Sequence, residues 1–288
     1  MRWLVTGGTG LLGRALAAAL AGAGHEVRAP GSRELDIRSR GAVRDAVAGF
    51  RPDIVVNSAA WTAVDDAEAA EPAAHAVNAL GAEHVAMAAA SAGARFVQVS
   101  TDYVFDGRAA SPYPEDAPLA PLGAYGRTKA AGERLARAAH PGALVVRTAW
   151  LYGGDAGFPA LVRRLAARHP ELSMVADQVG QPSWAPEVAD GILRLVEAGA
   201  PAGVHHATAS GAASRVELAR AVLELDGEDP DRVRPVGSEA FPTPAPRPAY
   251  SVLGHGSWAA AGIPPLRDWR EALAEAMVES PEQEAGRA

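Results

Sequence analysis

The feature that most constrains this chain is an alternation. Short β-rich runs, "RWLVT" (2–6), "HEVRA" (25–29), "DIVVN" (53–57), "ARFVQVS" (94–100) and "GALVVRT" (142–148), are separated by stretches of helical character over 11–24, 39–50, 72–93 and 124–140. Most of the strand runs are continuous rather than alternating, as expected when both faces of a sheet are covered. Strand–helix alternation at this spacing predicts a parallel sheet with helices on both sides, a doubly wound α/β fold.

After about residue 150 the rhythm loosens. Helices are predicted over 157–170, 185–199 and 214–225, with a strand over 203–208. "FPTPAPRPAYS" (241–251) carries proline at 242, 244, 246 and 248, which excludes a helix or a central strand and leaves a loop or edge segment. The expected organisation is a nucleotide-binding sheet domain of residues 1–152 and 184–208, with a smaller substrate lobe of 153–183 and 209–288. A chain of 288 residues is long enough for that arrangement.

Charge excludes several partners. Lys and Arg number 27 against 34 Asp and Glu, a net −7, where nucleic acid or an anionic membrane surface calls for a concentrated basic face. The absence of cysteine excludes disulfides, a thiol nucleophile and thiolate metal sites, and fits a reducing cytoplasm. No apolar stretch approaches the roughly 20 residues that span a bilayer. The sequence enters a strand at once, so a cytoplasmic protein without a secretory signal is expected.

The first strand–helix junction reads "VTGGTGLLG", with Gly7, Gly10 and Gly13 three apart. At such a junction the first glycine allows a tight turn, the second lets the backbone approach a pyrophosphate, and the third lets helix and strand pack closely. The helix start then offers free N–H groups to anionic oxygens. This predicts a Rossmann-type dinucleotide site. NAD sites usually carry an acid at the end of the second strand for the ribose 2′-hydroxyl. None stands there. Ser32 and Arg33 follow instead, suited to a 2′-phosphate, and Asp36 lies where it can meet the adenine edge. NADPH is therefore the preferred cofactor, with NADH kept open; a solvated loop arginine is the plain alternative for Arg33.

Residues 124–130 read "AYGRTKA". Positions four apart share a helix face, so Tyr125 and Lys129 can reach one cleft. A free phenol, with a pKa of about 10, is a proton donor at neutral pH. An ammonium about 4 Å away, at an effective dielectric of about 20, would favour the phenolate by about 4 kcal/mol before desolvation. General-acid help of this kind is worth about 10²–10⁴ in rate. "VSTDYVFDG" ends a strand at Ser100 and Thr101, on the sheet edge where ligands bind, and a hydroxyl there can hydrogen-bond the same carbonyl.

With the glycine loop, "NSAAWTAVDDAE", "STDYVFDG" and "YGRTK" in this order, the chain resembles an extended short-chain dehydrogenase/reductase, and more narrowly the dTDP-4-dehydrorhamnose reductase family. "RPDIVVN", "DQVGQP", "TPAPRP" and "DWREAL" extend the resemblance nearly end to end. It implies a catalytic set at Thr101, Tyr125 and Lys129. It implies cofactor contacts at Gly10, Leu11, Leu12, Asp36, Ile37, Ala60, Trp61 and Thr62, with Ala59 beside them, and sugar-nucleotide contacts at Thr101, Asp102 and Trp150. Arg247, in "TPAPRP", joins the substrate set. Plain core packing is the competing reading of Trp150. Some members of the family are associated with Mg²⁺-linked dimers through a glutamate on the first helix; Ala15 stands at that position here, so the resemblance does not carry a metal site over. Trp61 and Trp184 take pocket-edge positions where other residue types are usual.

His205 and His206 are adjacent in a strand and point to opposite faces, so they do not form a metal pair. Asp65, Asp66 and Glu68 read as capping or solvated rather than catalytic. The expected activity is NADPH-dependent reduction of the 4-keto group of a dTDP-4-keto-6-deoxyhexose, giving dTDP-L-rhamnose or a close relative, by a monomer or homodimer. A tailoring 4-ketoreductase of antibiotic sugar assembly and a non-catalytic nucleotide-binding relative are the alternatives.

Overall fold

The computed structural model describes residues 1–279. In chain order its first half contains β1 (Arg2–Thr6), α1 (Leu11–Gly22), β2 (Glu26–Arg28), α2 (Arg40–Phe50), β3 (Ile54–Asn57), α3 (Val64–Ala69), α4 (Glu71–His75), a π-helical segment (Ala76–Gly81), α5 (Ala82–Ser91), β4 (Arg95–Thr101), α6 (Ala124–Ala139) and β5 (Leu144–Thr148). The second half contains β6 (Leu151–Tyr152), α7 (Phe158–Ala166), β7 (Leu172–Val175), β8 (Val179–Gly180), β9 (Ser183–Trp184), α8 (Ala185–Glu197), β10 (Gly203–His206), β11 (Ala213–Ser214), α9 (Arg215–Leu225), β12 (Val233–Val236), α10 (Gly256–Ala260) and α11 (Trp269–Glu279).

Six strands form one parallel sheet in the order β10-β5-β4-β3-β1-β2. The fold is the expected Rossmann-type α/β. The order reverses about β1, so the crevice for a ligand opens beyond the carboxyl ends of β1 and β3. β3 and β5 are buried at every position, the consequence of helices covering both faces. On one face Leu12, Leu16 and Leu20 of α1 pack with Val188, Ile192 and Leu195 of α8; on the other Val43 and Val47 of α2 pack with Val85 and Ala89 of α5.

The long helix expected over 72–93 is interrupted. Its middle is π-helical, and Asn78 inside it is buried. Such one-turn π segments frequently mark functional sites. The second half builds three two-stranded pairings, β11-β8, β12-β7 and β6-β9, around a separate core that includes Tyr152, Trp184, Leu218, Val222, Trp269 and Leu273. Trp258 and Leu266 come from the same stretch of chain yet pack into the sheet-side core. The proline-rich segment crosses back to the first half: Asp65 accepts from the Ala245 N–H (3.1 Å) and pairs with Arg247 (2.8 Å). Among the described residues no helix is long and apolar enough to cross a membrane.

Candidate active site

A cleft of about 820 Å³ runs along the carboxyl edge of the sheet, from the end of β1 to the end of β5. At one end stands the glycine loop. Gly7 has φ +72°, and a Cβ there would meet the backbone of Ala59 at 2.7 Å, so the turn seats directly on the segment after β3. The first N–H groups of α1 lack intrahelical partners and face the cleft beside Gly10, Leu11, Leu12 and Gly13. Ser32, Asp36, Ile37, Ala59, Ala60, Trp61 and Thr62 line the same end. Buried Asn78 fixes the Trp61 segment: its carbonyl oxygen accepts from the Trp61 N–H (2.8 Å), and its amide donates to the Trp61 carbonyl (3.2 Å) and the Thr128 hydroxyl (3.0 Å). This shape suits a dinucleotide held by backbone donors.

Arg33 departs from expectation. It is exposed and is not among the lining residues, whereas Arg38 is, with its guanidinium held by both Asp36 oxygens (2.7–3.0 Å). The loop after β2 turns at Glu34 and Leu35, whose N–H groups bond back to the Gly31 carbonyl, and the basic side chain it delivers to the cleft is five residues later than expected.

The other end gathers titratable groups. α6 begins without a side-chain cap of its own; Glu68 supplies one, accepting from the Ala124 N–H (2.7 Å). That bond sets the first turn of α6, where Tyr125 enters the cleft edge-on to Tyr103 (centroids 5.7 Å apart). Lys129, one turn on, is 4% exposed and donates to the Val99 carbonyl (2.7 Å). Burial lowers its pKa to about 8, opposed by the charge of Glu133. Burial also pushes the Tyr125 phenol well above its ordinary value; the Thr101 hydroxyl opposes the rise, and Asp102 and Tyr103 add to it. The expected lowering of the phenol by Lys129 is not seen: burial dominates, and the ammonium is directed at the Val99 carbonyl.

Thr101 closes β4 as expected. Its single hydroxyl proton goes to Asp102 Oδ1 (2.9 Å), and its oxygen accepts from the Tyr103 N–H (3.2 Å). Asp102 is 2% exposed, with Oδ2 buried and unpartnered. Burial raises its pKa to about 6, against the pull of Ser251, Thr101 and the Arg215 charge.

Trp150 is half-buried, lines the cleft, and has φ +42°, a left-handed conformation rare for a bulky residue and found mostly where function demands it. Its ring lies under the Arg215 guanidinium (3.3 Å to the centroid), which also faces Phe158 (4.9 Å). On the ring's other flank a Cβ at residue 180 would stand 2.5 Å from the indole, so Gly180 makes the room. Trp150 and Arg215 also line an adjoining groove of about 840 Å³, and Arg247 lies there rather than in the first cleft, tied to Asp65 and to the Ala245 carbonyl (3.1 Å). Arg215 went unread in the sequence. The one local signal is the capping box Ser214–Glu217, which places Arg215 first on α9. Trp184 is not at the pocket edge: it is 6% exposed, inside the second core.

No metal site forms where a glutamate on the first helix would put one. α1 carries no carboxylate, Ala15 packs against the core, and no group of three or more His, Asp or Glu able to hold a metal exists among the described residues. The residues present do not fit the ion.

Residues 1–281 match the family described as RmlD substrate binding domain. The chain belongs to the RmlD family. It is 49% identical over 287 residues to a probable dTDP-4,6-dihydroxy-2-methyloxan-3-one 4-ketoreductase of Streptomyces antibioticus, covering 96% of this chain and 94% of that one. It is 48% identical over 280 residues to a dTDP-4-dehydrorhamnose reductase of Mycolicibacterium smegmatis, covering 96% and 85%. The structure of a dTDP-4-dehydrorhamnose reductase from Bacillus anthracis in complex with NADP superposes with a TM-score of 0.93 at 34% identity, covering 97% of this chain and 99% of that one.

Proposed function

We propose that this RmlD-family chain is an NADPH-dependent sugar-nucleotide 4-ketoreductase, reducing dTDP-4-dehydro-L-rhamnose to dTDP-L-rhamnose. The observation that carries the reading is convergence. Thr101, Tyr125 and Lys129 face one cleft whose far end is a helix start lined by the glycine loop. That is the arrangement a hydride transfer to a sugar carbonyl needs.

In this reading Gly7, Gly10, Leu11, Leu12 and Gly13 hold the pyrophosphate, Asp36 and Ile37 the adenosine, and Ala59, Ala60, Trp61 and Thr62 the middle of the cofactor. When bound, NADPH supplies the hydride. Tyr125 gives its proton to the carbonyl oxygen as that oxygen gains charge, and Lys129 steadies the phenolate left behind. Burial makes the phenol a firmly protonated donor, so its release requires the Lys129 charge to turn from the Val99 carbonyl toward the phenolate. Thr101 reaches the same oxygen once its hydroxyl rotates from Asp102. The unpartnered Asp102 Oδ2 is an acceptor for a sugar hydroxyl. Trp150 offers a flat face to the hexose, Arg215 a charge to the diphosphate, and Arg247 a wall to the adjoining groove. The sheet domain of 1–152 and 184–208 thus serves the cofactor, and the lobe of 153–183 and 209–288 the sugar nucleotide.

The test is NADPH oxidation on dTDP-4-dehydro-L-rhamnose with product identified by NMR. Absence of turnover with intact NADPH binding would favour the non-catalytic alternative. The Streptomyces relative supports a second reading, a 4-ketoreductase for a different deoxysugar; a panel of dTDP-4-keto-6-deoxyhexoses ranked by kcat/KM separates the two. The reading includes a cytoplasmic location and a monomer or homodimer, the latter measured by light scattering.

A further inference from the structure

Behind Lys129 lies a row of buried polar groups, of which only Ser100 borders the cleft, that the proposed reaction does not use. Ser100, Arg147 and His206 occupy laterally paired positions on β4, β5 and β10. Glu133, one turn after Lys129 on α6, descends onto this row. Its Oε1 accepts from the Ser100 hydroxyl (2.6 Å) and Arg147 Nε (2.9 Å), and its Oε2 from Arg147 Nη2 (2.8 Å). Arg147 Nη1 donates to the Glu115 carbonyl (3.2 Å) and to His206 Nε2 (3.3 Å). His206 Nδ1 in turn donates to the Gly254 carbonyl (2.8 Å), which makes the ring neutral. Lys129, Glu133, Arg147 and His206 are all 4% exposed or less.

A buried ammonium facing only a carbonyl loses its proton readily. The ionisable groups around Lys129 are Tyr125 and Glu133 on its own helix, Asp102 on the opposite cleft wall, and Arg147 beyond Glu133. Of the two carboxylates, Asp102 is itself held toward the neutral form by burial. Glu133 is different. Its two oxygens accept three hydrogen bonds, two of them from the Arg147 guanidinium, which fix its place.

We propose that Glu133 is a positioning residue for Lys129: clamped by Ser100 and Arg147, it holds a negative charge one helical turn behind the buried ammonium and keeps that lysine protonated at working pH. The inference rests on the proposed role of Lys129. Neutralising Glu133 lowers the Lys129 pKa further, so the protonated fraction disappears at lower pH. Glu133→Gln should therefore move the alkaline limb of kcat toward lower pH by about one unit, leaving plateau turnover and NADPH affinity little changed. Because this variant strands a buried Arg147, Glu133→Gln with Arg147→Met removes both charges, and its limb should move the same way. An alkaline limb that stays in place in the folded double variant overturns the proposal. Lys129→Met separates the two levels: if it retains wild-type turnover, the role of Lys129 fails and this inference with it. If it abolishes turnover while the double variant keeps the wild-type profile, only this inference fails.

Discussion

The two ends of the cleft are built from different material. Beyond β1 and β3 the surface is mostly backbone: a glycine turn, the start of α1, and small side chains at Ala59 and Ala60. Beyond β4 and β5 it is crowded with titratable groups, among them the buried Asp102 and Lys129 and the half-buried Tyr125 and Arg215, whose pKa values all move chiefly through desolvation. The contrast matches the division of labour proposed above. Fixed N–H dipoles hold an anionic cofactor without titrating, whereas proton transfer needs groups whose charge states burial has brought within reach of each other.

The largest effect expected from testing that division is at Tyr125. Tyr125→Phe should lower kcat by at least about 10²-fold with NADPH binding nearly intact, measured by stopped-flow turnover and cofactor fluorescence titration. Parallel loss of cofactor binding would show that the two ends are not separate.

Next is Arg215, which makes no salt bridge among the described residues and packs over Trp150. Arg215→Ala should raise KM about tenfold and leave NADPH affinity unchanged, the scale of a lost charge-assisted contact. A change confined to kcat would place it with the chemistry instead.

At the cofactor end, Arg38→Ala should weaken NADPH about tenfold while sparing NADH, and Arg33→Ala should do little. Calorimetric titrations of both variants with both cofactors decide it; the reverse ranking would return the 2′-phosphate to Arg33.

The smallest effect is on stability. Asp102 has a folded pKa of about 6, above the unfolded value of about 3.9, so its ionisation opposes folding. Its contribution is fully present below about pH 4 and is lost as pH rises through about 6. Asp102→Asn should flatten that fall and raise Tm at about pH 8 by a few degrees, read by calorimetry, while lowering turnover. An unchanged Tm–pH curve would mean that the buried carboxylate is solvated in practice.

How much of this was legible beforehand differs along the chain. Strands β1, β3, β4 and β5 and helices α1, α2 and α6 followed from continuous apolar runs and periodicity, since both report burial directly, whereas the short α3 carried no such signal. The π-helical break at Asn78 did not, because it serves a hydrogen bond to Trp61 that no local pattern encodes. Gly7, Gly10 and Gly13 announced the tight turn that brings the start of α1 to the cleft, where backbone conformation itself sets the geometry. The destination of Arg33 was misread because a loop's composition says nothing of which side chain turns inward.

The sequence by itself determined the strand–helix alternation, the glycine turn and the Tyr125–Lys129 spacing, since each is read from residues within a few positions of one another. Only the tertiary structure decided the rest: that Glu68 caps the helix carrying Tyr125, that Asp65 holds Arg247, that Arg215 lies on Trp150, and that Glu133 stands behind Lys129 with Arg147. Those contacts join positions 14 to 182 residues apart, and all of them depend on which faces burial brings together, a quantity that exists only once the chain has packed.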